Sequence, residues 1–144
     1  MKPLLYILLI FGYLTACTST ESYEVIRQEV LTEHDKVMGD SELAFRYKMK
    51  LDTLTLKLDS LKKVYAYLDT LKEKEQINEL RNKLNKADDM MNDWMHKLEA
   101  EIGSKSNDEA VAYFKSEKMK INTIDSLYAQ IIKQSDNYLS KFKK

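Results

Sequence analysis

After Gly12 this chain has only two glycines, Gly39 and Gly103, and after Pro3 it has no proline. So few backbone breakers over about 130 residues leave little room for hairpins, sheets or glycine-rich phosphate loops. The fold is therefore all helical. Charged residues make up 32% of the chain and both signs are interspersed along it, the pattern of long helices with solvated outer faces.

The hydrophobic spacing divides that helical stretch. Tyr23, Ile26, Val30, Leu31, His34, Val37 and Met38 fall on one broad helical face. Gly39 and Asp40 then offer a C-cap and turn, with Ser41 as a new N-cap, although the apolar spacing also runs on through Ala44 and Tyr47. From Leu43 the pattern is heptad-like, through Tyr47, Leu51, Leu54, Leu58, Leu61, Tyr65 and Leu68. The charged run Lys72 to Gln76 interrupts it and is read as a turn. A second seam follows in Ile77, Leu80, Leu84, Ala87, Met91, Trp94 and Leu98.

The segment from Gly103 to Asp108 is the clearest loop, and Ser106 with Glu109 has capping-box spacing. Val111, Phe114, Ile121, Ile124, Tyr128, Ile131, Tyr138 and Phe142 form the last seam. Short connections make successive helices antiparallel neighbours. The expected architecture is an up-and-down bundle of three long helices with coiled-coil-like seams, in which residues 22–38 either fold back as a fourth helix or extend the first.

The first seventeen residues, MKPLLYILLIFGYLTAC, end at the only cysteine. Lys2 supplies a positive n-region, Leu4 to Leu14 an apolar stretch too short to span a bilayer, and Leu14-Thr15-Ala16-Cys17 a lipobox. The expectation is a signal peptide over residues 1–16, a lipidated cysteine with a polar tether over residues 17–22, and a bundle domain over residues 23–144. Cys17 then carries diacylglycerol and an N-acyl chain, and at about 0.8 kcal/mol per buried CH₂ three acyl chains hold the protein on the membrane. Thr18 rather than aspartate after the cysteine points to the outer membrane of the cell envelope.

With Cys17 used as an anchor, no disulfide and no thiolate metal site can form within one chain, and packing alone must hold the fold. Lys2 is the one charge removed with the signal, so 22 of the 23 basic residues remain against 23 acidic ones. That balance argues against nucleic acid as a partner, which favours a basic face. The expected partners are the membrane, through the lipid, and an envelope protein, with self-association left open.

Two patches stand out against the lysine-rich background: His34-Asp35-Lys36-Val37-Met38, and Ala87 to His96, which contains Met90-Met91 and Trp94-Met95-His96. With the lipobox and the coiled spacing between them, they make the chain resemble small helical lipoproteins common in Bacteroidetes, often labelled viral A-type inclusion protein-like. The resemblance implies a helical envelope lipoprotein and carries no activity, cofactor or partner.

The patches hold both histidines, the only tryptophan and four of the seven methionines. Imidazole and thioether together suit Cu(I) or haem iron, so the alternative to a structural module is a periplasmic Cu(I) or haem binder using His34, Met38, Met91, Met95 and His96. Against it, Met91 and Trp94 belong to a core seam, whereas His96 lies about 150° around the helix at about 100° per residue. His34, at the centre of its apolar face with Asp35 beside it, is expected to be an interfacial histidine satisfied by a helix-end carbonyl or a neighbouring helix's carboxylate. Asp93 and His96 make half of a carboxylate di-metal motif with no second copy. No serine or threonine stands in a recognisable triad pattern, and an enzyme is not expected. Tyr65, Tyr67, Tyr113, Tyr128 and Tyr138 are read as capping the core with exposed hydroxyls or forming a contact surface.

Overall fold

A computed structural model describes residues 21–142. Cys17 and the signal-like segment lie outside the described residues. Three helices run up, down and up: α1 (Tyr23–Val64), α2 (Thr70–Lys97) and α3 (Asn107–Ser140). Among the described residues no helix is long and apolar enough to cross a membrane.

Cross-helix pairs give the register. α1 and α2 are antiparallel, with Asp52 bonded to Arg81 at 2.9 Å, Lys48 paired with Asp88, and His34 against Trp94. α1 and α3 are parallel, with Tyr23 on Phe114, Lys118 on Glu29 at 2.8 Å and Lys36 on Asp125 at 2.9 Å. At 1.5 Å per residue α1 is about 63 Å long, enough to pack along both shorter helices.

α1 passes straight through Gly39, so residues 22–38 extend the first helix and form no fourth. The reason is the seam itself. Ile26, Val30, Val37, Ala44, Tyr47, Leu51, Leu54 and Leu58 are buried along one continuous line, and a break at Gly39 would take Ile26, Val30 and Val37 out of register with α3. Ala44 takes the buried slot read as Leu43, which is exposed, and Met38 points outward from the face on which it was expected. Asp40 fills the seam slot between Val37 and Ala44. Its carboxyl is pushed above the ordinary aspartate range, first by burial and then by Asp125 facing it from α3.

The first turn comes before the charged run read as a turn. α1 ends at Val64, the Leu68 N–H closes a turn on the Tyr65 carbonyl at 2.9 Å, and Asp69 caps α2 by accepting from the N–H groups of Leu71 and Lys72. Lys72 to Gln76 therefore lies inside α2, and Tyr65 and Leu68 belong to the turn. Glu73 is what disguised this segment. It stands one turn before Ile77 on the buried side and accepts the Tyr138 hydroxyl of α3 at 2.6 Å.

The second loop is as expected. Ser106 caps α3 and forms the full capping box with Glu109. Before it, Lys105 N–H bonds the Ile102 carbonyl at 3.1 Å around Gly103, whose φ of +59° favours glycine. The base of α1 is tied to this loop by Arg27, whose Nε donates to the Ala100 carbonyl at 2.6 Å and whose Nη2 meets Glu101 at 3.0 Å.

Candidate functional site

The two unusual patches meet. The antiparallel register of α1 and α2 sets the His34 ring 6.1 Å from the Trp94 ring at a 31° tilt. His34 is an edge residue with 28% of its side chain exposed, and its Nδ1 lies 3.0 Å from Asp35 of its own helix. The expected partner on a helix end or neighbouring helix is thus replaced by the next residue and an aromatic face.

Trp94 is buried to 5% exposure, and its Nε1 donates to Glu117 Oε2 on α3 at 2.8 Å. Glu117 is itself only 4% exposed. Its other oxygen accepts from Lys120 Nζ at 2.6 Å, a bond that raises the lysine above its usual range. A buried carboxylate needs such partners, because an unpaired charge away from water costs several kcal/mol. The chain His34–Trp94–Glu117–Lys120 therefore crosses all three helices.

A cleft of about 400 Å³ opens beside it between α2 and α3, with Met90, Asp93, Trp94, Lys97 and Glu117 in its wall. Asp93 and Lys97 pair at 3.5 Å on the exposed rim. The Trp94 N–H and both Glu117 oxygens are engaged within the protein, so the cleft is walled by apolar surface with a salt-bridged rim.

The remaining predicted ligands are dispersed by burial. Met91 is buried in the core, Met95 packs partly buried against it, and Met38 is exposed on the outer face of α1. His96 is exposed, with its Nδ1 2.7 Å from the Asn92 carbonyl one turn back. Among the described residues no three His, Cys, Asp or Glu side chains gather in a metal-binding group.

Sequence reading missed Glu117 and Tyr128 as members of polar networks. The last seam passes from Phe114 to Ile121 with its intermediate slot empty, and that gap was the signal for Glu117. Tyr128, expected to expose its hydroxyl, is buried and donates to Asp88 Oδ1 at 2.7 Å, while Lys48 pairs with the same carboxylate. Burial, opposed by a bond to Ser41 and reinforced by Asp88, drives its phenol well above the ordinary tyrosine range.

Comparison with protein-family models, curated proteins and solved structures finds no match to this chain.

Proposed function

We propose that this protein is a non-enzymatic envelope lipoprotein, anchored through acylated Cys17, whose bundle acts as a structural and protein-interaction module. The observation that carries the reading is the number of large apolar side chains left outside a closed core. Phe45, Met49, Leu56, Val64, Tyr67 and Leu71 are all exposed while the seams beneath them are already filled. The resemblance to small helical envelope lipoproteins agrees with it. So does the lipobox: at about 3.5 Å per residue, the chain from Cys17 to Glu21 reaches at most about 14 Å, which keeps the bundle at the bilayer surface.

Fractionation of cells carrying Cys17→Ser, with metabolic acyl labelling, tests the anchor. The expected outcome is loss of label and release of the protein from carbonate-washed membranes. A variant that stays with the membrane as the parent does overturns the lipoprotein reading.

A further inference from the structure

We infer that the outer face of α1 is a self-association surface on which a second copy of this chain docks antiparallel, with the two-fold axis beside position 47. The inference rests on the interaction-module reading above and names its partner.

The row consists of Met38, Phe45, Met49 and Leu56. At about 100° per residue these four lie within about 20° of one straight line along α1, on its exposed side opposite α3 and beside the flank that meets α2. Phe45 is 58% exposed and Leu56 85%. Their spacing reads the same in both directions, since Phe45 and Met49 are equidistant from position 47, and so are Met38 and Leu56. An antiparallel two-fold contact uses this property to set apolar on apolar throughout, because if residue i meets residue j, then j must meet i. In the antiparallel pair Phe45 meets Met49 of the second copy, and Met38 meets Leu56, in alternating layers of a coiled-coil seam.

The charges beside the row support the same direction. Asp35 and Glu42 flank its N-terminal half, while Lys50 and Lys57 flank the C-terminal half on the same side. Reversal sets Asp35 opposite Lys57 and Glu42 near Lys50 and Lys57 of the second copy. On the other flank it sets His34 near Asp59. Glu42 and Asp52 stand at matching heights but on opposite flanks, and each already has a partner, Arg46 and Arg81 respectively. The row is about 27 Å long, and a helix contact of that length with its flanks buries on the order of 1,200 Å² in total, the lower bound of a stable specific interface.

The test uses the full acylated chain in its native envelope. Two differently tagged copies, one Phe45→Cys and one Met49→Cys, are co-expressed and oxidised. The expected product is a disulfide-linked pair between the two tags, with none between Phe45→Cys and Leu56→Cys copies, because those residues lie about two turns apart in this register. In mild detergent the parent should sediment as a dimer. Phe45→Glu should sediment as a monomer with unchanged helicity, since the side chain is outside the core. A parent that is monomeric at every concentration, or Phe45→Cys copies that link to each other in a parallel register, overturns the inference. A monomer that captures a different envelope protein through Phe45 overturns self-association and leaves the interaction-module reading standing. A monomer for which Phe45→Glu alters no capture overturns both.

Discussion

Trp94 of α2 and Glu117 of α3 hold each other in place through a 2.8 Å bond from the indole N–H to a carboxylate that is almost wholly buried. Removing one partner strands the other in a nonpolar environment. Glu117→Ala should therefore cost about 2–3 kcal/mol, and Glu117→Gln, which keeps an acceptor, about 1 kcal/mol. Trp94→Ala should cost about 3–5 kcal/mol because it also leaves a cavity. Urea unfolding followed by circular dichroism reads all three. A Glu117→Ala loss below about 0.5 kcal/mol would place the bond outside the folded core.

The two glycines should respond in opposite directions to the same change. Gly39 sits within α1 with open space where a Cβ would project, so Gly39→Ala should stabilise by about 0.5–1 kcal/mol. Gly103 has equal room but a positive φ, so Gly103→Ala should destabilise by about 1 kcal/mol. Thermal melts of the pair decide it. Equal shifts would mean that α1 does not run through Gly39.

Asp40 carries a prediction about pH. Its carboxyl binds a proton more tightly in the folded protein than in the unfolded chain because of burial and Asp125. The unfolded chain thus ionises first as pH rises through the ordinary value of 3.8, and a penalty on folding grows until the folded carboxyl has ionised too. Asp40→Asn removes that penalty. It should raise stability at pH 7 by at most about 1 kcal/mol, given partial solvation, and leave it unchanged at pH 3. A stabilisation of equal size at both pH values would point to helix propensity instead.

The class of fold, the identity of the seams and the capping box at Ser106 were legible from residue spacing alone, because apolar periodicity and near absence of breakers admit little besides long helices. Of the exposed row on α1, only Met38 was singled out, and it was assigned to the wrong side. What only the tertiary structure decided shares one physical cause. Asp40, Glu73 and Glu117 each occupy a slot that the heptad reserves for an apolar side chain; Glu73 and Glu117 are each met by a donor on another helix, the Tyr138 hydroxyl and the Trp94 indole, whereas Asp40 faces Asp125 of α3 and is offset by Lys36 one turn back on its own helix. In a linear reading these acids look like a cap, a turn and a gap. The groups they face on other helices lie 65, 85 and 23 residues away in the chain, for Glu73, Asp40 and Glu117 respectively, and no local pattern encodes such pairings. The meeting of His34 with Trp94 is of the same kind, because it depends on the antiparallel register of α1 and α2, which packing sets along the whole length of both helices.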